Sequence, residues 1–190
     1  MKLNVLISTS RKTTAKLNVK DHLLSKGYAI GQVLESDDFP KTAGEDSTQI
    51  KINLETIPQM DWFVLLAPLD HVGSKTFSEL KAACDSYLAT GKPTISIFHS
   101  SNPIHIEKKE GDVDFQDMLG YLEDKMRSKW KREQTEQLVQ DSEQYYNDFS
   151  DTNDLIARVS HEFDLLYSKS LFMSMQLPGL SIKGKDLKAM

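Results

Sequence analysis

Residues 60–98 constrain the fold of this chain more than any other stretch: M-DWFVLLAPLDHVGSKTFSELKAACDSYLATGKPTISIF. Residues 62–68 form an apolar run without alternation, as expected of a parallel strand covered on both faces. Phe77, Leu80, Ala83, Cys84, Tyr87 and Leu88 then recur at the spacing of one helical face. Gly91 supplies a left-handed stop, Pro93 cannot continue the helix, and residues 94–98 read as the next strand. The stretch is a βαβ unit, and its strand-to-helix loop is where an open parallel sheet puts its chemistry. Glu79 is expected in the first turn of the helix.

The rest of the chain extends the same alternation. Residues 3–7 predict a strand. A helix carrying Ala15, Val19 and Leu23 follows and ends at Gly27, and residues 28–34 predict a second strand. Asp46 or Ser47 can cap a helix with Ile50, Leu54 and Ile57 on one face, closed by Pro58. The order βαβαβαβ with short connections predicts an α/β fold. With right-handed crossovers it is a flavodoxin-like, doubly wound parallel sheet of four to five strands. After Phe98 a polar loop is expected over 99–112. A long helical insertion then spans 112–144, with Phe115, Met118, Leu119, Leu122 and Met126 at helical spacing. Residues 144–149 suit a short edge strand. Asp151 to Asp154 cap a last helix bearing Leu155, Ile156, Val159, Phe163 and Leu166. The α/β domain is therefore expected over 1–168, with 169–190 an apolar tail or linker. Such a tail should dock on its own domain, on a second copy as a homo-oligomer, or on another domain.

Composition narrows the function classes. A length of 190 residues suggests one domain, and a net charge of -5 gives no global attraction to nucleic acid or an anionic membrane surface. The apolar start ends at Ile7, too short for a signal peptide, and no stretch reaches the ~20 apolar residues of a membrane helix. The single cysteine, Cys84, excludes an internal disulfide and reads as a buried, inert thiol. A cytoplasmic protein is expected. The five histidines show no ligand spacing among themselves or with Cys84, so no metal site is expected. Neither a Walker A pattern nor G-x-G-x-x-G occurs, which removes support for ATP hydrolysis and Rossmann-type hydride transfer. The basic residues from Lys125 to Arg132 around Trp130 read as a solvated helix face rather than an RNA-binding patch, since Glu133 and Glu136 follow.

In the expected fold the C-terminal strand ends form one rim. Strand one brings Ser8, Thr9, Ser10 and Arg11, and strand two brings residues 35–38, with Asp37 the candidate there. Strand three brings Asp70 and His71, with Glu79 just beyond, and strand four brings His99 and Ser100. Such a set suits a small polar ligand carrying a sugar or a phosphate. Ser8 to Arg11 are equally an ordinary helix cap with an exposed arginine, and His71 and His99 read as surface residues ahead of groups facing the site. Glu79 also has two readings. Thr76-Phe77-Ser78-Glu79 is T-x-x-E, the capping box in which the glutamate reaches back to the cap residue's N–H. A rim carboxylate can instead stabilise, or attack, an oxocarbenium-like C1′ of a sugar, with Asp70 as the second carboxylate.

The pattern from Asp61 through Ala67-Pro68-Leu69-Asp70, Gly73, Thr76, Glu79-Leu80, Ala82-Ala83 and Gly91-Lys92-Pro93 resembles the nucleoside 2-deoxyribosyltransferases. In those enzymes a glutamate of a G-T-x-x-E-x-x-x-A stretch attacks C1′. Here Lys75 stands directly before Thr76 and Gly73 lies further back. The arrangement is also similar to Toll/interleukin-1-receptor (TIR) domains, which open like Val5-Leu6-Ile7-Ser8-Thr9-Ser10 and keep a helix glutamate that supports NAD cleavage in many members. It further resembles a TIR-like domain at the N-terminus of bacterial NTPase-type signalling proteins, whose ending is similar to Tyr146-Asn147-Asp148-Phe149 and the following helix. The resemblance implies N-glycosidic bond chemistry on NAD or a (deoxy)nucleoside or nucleotide. Glu79 and Asp70 would be catalytic, and Ser8, Thr9, Ser10, Arg11, Asp37 and His99 would bind substrate. No cofactor is required, NAD entering only as substrate. The alternative that it implies is a non-catalytic TIR-like signalling or oligomerisation module.

Overall fold

The computed structural model describes residues 2–10, 14–35, 51–133 and 146–175. Arg11, Asp37, the proposed helix cap at 46–47, residues 134–145 and the tail from 176 lie outside the described residues. In chain order the elements are β1 (Leu3–Thr9), α1 (Thr14–Ser25), β2 (Ile30–Glu35), β3 (Trp62–Leu69), β4 (His71–Val72) and α2 (Ser74–Thr90). They continue with β5 (Thr94–Ile104), β6 (Val113–Asp114), α3 (Phe115–Glu133), β7 (Tyr146–Phe149) and α4 (Thr152–Met175).

Five strands form a parallel sheet in the order β2-β1-β3-β5-β7, the flavodoxin-like arrangement. All eight residues of β3 are buried, as a central strand with a helical layer on each side requires. Alternate side chains feed two cores. Leu6, Phe63, Leu65, Ala67, Ile95 and Ile97 face α2 and α3. Val5, Ile7, Trp62, Val64, Leu66 and Phe98 face α1 and α4.

The described elements depart from expectation in three places. The segment before β3 is a π turn (Ile52–Thr56) and a 3-10 turn (Ile57–Gln59), not an α-helix with Leu54 inward. The Ile57 N–H bonds Ile52 O, so residues five apart align: Ile52 and Ile57 are buried and Leu54 is exposed. The loop expected over 99–112 is shorter, because β5 stays extended to Ile104. Pairing with β7 and a Leu69–Ile104 pairing on β3 hold it there. Finally, β4 and β6 form an antiparallel ladder two residues long, too short to leave any periodicity. Residues 105–114 thus make a strap between β5 and α3. The last helix runs unbroken past residue 168 to Met175.

The expected stop of α2 and cap of α4 hold. Gly91 adopts φ 81° and its N–H bonds Tyr87 O at 2.8 Å, closing α2. Asp151 Oδ1 accepts the N–H groups of Asn153 and Asp154 at 2.8 and 3.0 Å, capping α4.

Asp61 ties the lower edge of the sheet together. Its carboxylate accepts the Asn4 N–H at 2.9 Å and Lys92 Nζ at 2.6 Å. Its backbone bonds Asn4 O and Thr94 N, so one residue links the starts of β1, β3 and β5. Lys92 is solvent-exposed, so its ion pair contributes little, whereas the charge-assisted bond to Asn4 is sheltered. In urea unfolding, Asp61→Ala is expected to lose about 1–3 kcal/mol with unchanged m-value. Lys92→Ala is expected to lose under about 0.5 kcal/mol.

Candidate functional site

The expected capping box does not form. Gly73, in an extended conformation, is the N-cap of α2, and Thr76 is the third helical residue. A capping box needs the threonine at the cap, so Glu79, the sixth helical residue, cannot close one. It lies in the second turn, not the first. Its carboxylate turns into the sheet instead and accepts the hydroxyl of Ser8 on β1. Both groups are buried, Ser8 at 0% and Glu79 at 1% exposure. The local cause is alternation: Leu6 faces the α2 core, so Ser8, two residues on, faces it too. Glu79 precedes Leu80, Ala83 and Cys84 on the helix stripe that covers this face.

The pair sits between β1 and β3, where the strand order reverses from β2-β1 to β3-β5-β7. Open α/β sheets bind ligands outside the carboxyl ends of the strands at such a switch point. Nearby, Ser10 Oγ accepts the Gly73 N–H at 2.7 Å, joining the end of β1 to the start of α2. Thr9 belongs to neither contact. It shares the alternation of Val5 and Ile7 and so faces α1 and α4, where its hydroxyl is buried with no hydrogen-bond partner among the described residues. On β2, Glu35 is buried and ion-paired with Lys16 at 2.9 Å and Lys20 at 3.2 Å, anchoring α1 to the strand end.

Asp70 and both rim histidines are engaged by partners that the linear sequence did not reveal. Asp70 Oδ1 lies 2.8 Å from His71 Nδ1, and Asp70 Oδ2 lies 2.7 Å from His105 Nδ1. His71 is buried, not a surface residue, and its Nε2 lies 3.5 Å from Asp112. These contacts fasten the strap, together with the Phe115 N–H to Asp70 O bond at 3.1 Å. Gly111 of the strap rests against Ser74, at the N-terminus of α2.

His99 is not a free surface group either. Its ring stacks on Phe115 with centroids 3.8 Å apart and planes 15° from parallel. Its Nδ1 lies 3.2 Å from Asp148 Oδ1, which also accepts the Tyr146 hydroxyl at 2.6 Å. Burial, and then the Asp148 carboxylate beside it, push the Tyr146 phenol up to about 12. Cys84 is likewise pushed up to about 12, chiefly by burial, as an inert thiol requires.

Among the described residues no His, Cys, Asp or Glu side chains gather in threes as a metal site, and no helix is long and apolar enough to cross a membrane. An open groove of about 570 Å³ runs between the 52–59 turns and α2, lined by Leu54, Pro58, Lys81, Ala82, Asp85 and Ala89. Neither Ser8 nor Glu79 lines it. No family model, curated protein or solved structure matches this chain.

The hydrogen bonds from His105, and then from His71, hold the Asp70 carboxyl below its ordinary value. A carboxylate lowered in the folded state contributes stability that is complete above its unfolded value and is lost as pH falls through the folded one. Protection of strap amides 109–113 against hydrogen exchange is therefore expected to decline as pH falls below the ordinary carboxylate range, before that of β3. Asp70→Asn is expected to lower the same protection already at neutral pH.

Proposed function

We propose that this chain breaks or transfers the N-glycosidic bond of NAD or of a (deoxy)nucleoside or nucleotide, with Glu79 acting at C1′. The observation that carries this reading is the buried Ser8–Glu79 bond at the switch point of the sheet. A carboxylate kept from water between helix and sheet interacts strongly with a developing cation, because screening there is weak. The C1′–N bond breaks and its electron pair leaves on the base. Glu79 then faces the sugar cation or takes the sugar as an ester, and water or a second base completes the reaction. Ser8 is the positioning residue, holding the carboxylate from β1. Ser10 stands at the α2 N-terminus, where backbone N–H groups favour phosphate or ribose oxygens. In this reading Asp70 fastens the strap rather than orienting the sugar. The pattern of residues 61–93, with its likeness to deoxyribosyltransferases and TIR domains, supports the same chemistry.

The protein is to be incubated with NAD and with deoxynucleosides, and base release followed by chromatography. Glu79→Gln is expected to lose at least ~100-fold in rate and Ser8→Ala about 10-fold, with unchanged circular dichroism. No release by the wild type, or equal release by Glu79→Gln, overturns the reading.

A non-catalytic assembly module is the second reading. Leu165 and Phe172 favour it: they lie seven residues apart on α4, 54% and 65% exposed. This reading expects a self-associating chain, and Leu165→Asp with Phe172→Asp would lower its sedimentation coefficient to that of a monomer. A monomeric wild type would remove its support.

A further inference from the structure

A run of alternating charges ties the strap to the end of β3. His105 Nδ1 lies 2.7 Å from Asp70 Oδ2, Asp70 Oδ1 lies 2.8 Å from His71 Nδ1, and His71 Nε2 lies 3.5 Å from Asp112 Oδ2. The order is imidazole, carboxylate, imidazole, carboxylate. The His105 side chain is 80% exposed, so water screens its pair with Asp70. The His71 side chain is 3% exposed and that of Asp112 11%, so a charge on the His71 ring acts there with little screening. His71, not His105, therefore decides how firmly the run holds.

Both nitrogens of the His71 ring face carboxylate oxygens, and a neutral imidazole carries a single N–H. If that hydrogen is on Nδ1 and serves Asp70, Nε2 sets a lone pair against the Asp112 carboxylate and is repelled. If it is on Nε2, the same conflict moves to Asp70. With a second proton the ring is a cation between two anions, and both contacts are attractive.

The neighbouring charges leave this balance to His71. Asp114, in register with His71 on β6, pairs with Lys108, and Asp117 of α3 acts on the same lysine. Glu107, Lys109 and Glu110 of the strap and Lys75 in the first turn of α2 are exposed. Asp112 accepts the Lys109 N–H at 2.9 Å, which fixes its carboxylate within the strap. The strap meets α2 at its first turn: Gly111 rests against Ser74, and a side chain at Gly73 would meet both Ser10 and Asp112.

We infer that His71 is a proton-operated latch on the strap. Charged, it draws Asp70 and Asp112 together; on losing a proton it repels Asp112 and frees residues 109–113 from the first turn of α2. A histidine that gains carboxylate partners on folding contributes stability that is present below its titration and lost as pH rises through it. Protonation of Asp70 loosens the same strap at the acid end, so the strap is held within a window of pH and released on either side. The latch stands on these contacts alone and does not depend on the reading of Glu79.

Hydrogen exchange of the full chain, corrected for intrinsic rates, tests it, with the His71 ring nitrogens followed by NMR in the same samples. Between about pH 5.5 and about pH 9, either side of the ordinary histidine range, protection of amides 109–113 is expected to fall about 10-fold in step with loss of the His71 proton. His71→Gln should hold the low value at both ends, and His105→Gln should keep the wild-type fall. Asp112→Asn removes the charge that a neutral ring would face, so its protection should change less than about 2-fold. The β3 amides, unchanged throughout, report that each variant is folded. Equal wild-type protection at both ends overturns the latch, and so does a fall of wild-type size in His71→Gln or Asp112→Asn.

Discussion

A strand with no wet face can exist only as the middle of a covered sheet, and β3 is that strand here. Its eight buried residues sustain pairing to β1 on one side and β5 on the other. They also feed both hydrophobic cores, so neither helical layer can be removed without exposing one of its faces. From this constraint follows the parallel order, and from the parallel order the single rim on which all strand ends meet. Asp61 secures the other edge, where β1, β3 and β5 begin.

The polar groups of the rim divide by face because side chains alternate. Ser8 and His99 meet the α2–α3 layer, while Thr9 is turned to α1 and α4. A list of residues adjacent in sequence is therefore not a list of residues adjacent in a site. The face with Glu79 carries two oriented groups, each held by a neighbouring strand or helix: Ser8 holds Glu79, and Asp148 holds His99. Over the same edge runs the strap, fastened largely by histidine–carboxylate contacts and a ladder of two residue pairs. Such a segment lies at the low-stability end of a fold.

Much of the fold was legible in the sequence because it rests on strong, local signals: the apolar run of β3, the stripe of α2, the stop at Gly91 and the cap at Asp151. The short elements were not. A π turn shifts alignment from four residues to five, so Leu54 matched a helical face that the backbone does not make. The ladder between β4 and β6 is too short to show a period. Glu79 was visible as a candidate, but its role as a cap was read from T-x-x-E, a pattern that cannot reveal that the helix begins earlier, at Ser74. Asp148 and Tyr146 alternate on one short strand. Their meeting with His99 depends on the register of β5 and β7, which no local pattern encodes.

The central claim is that Glu79, held by Ser8 at the switch point of the sheet, acts at C1′ of a nucleoside, a nucleotide or NAD. A crystal structure of Glu79→Gln soaked with 2′-deoxyinosine tests it most directly. The account predicts C1′ within about 3.5 Å of the residue 79 side chain. A nucleoside bound instead in the groove beside Leu54 and Ala89, or none bound at all, would contradict it.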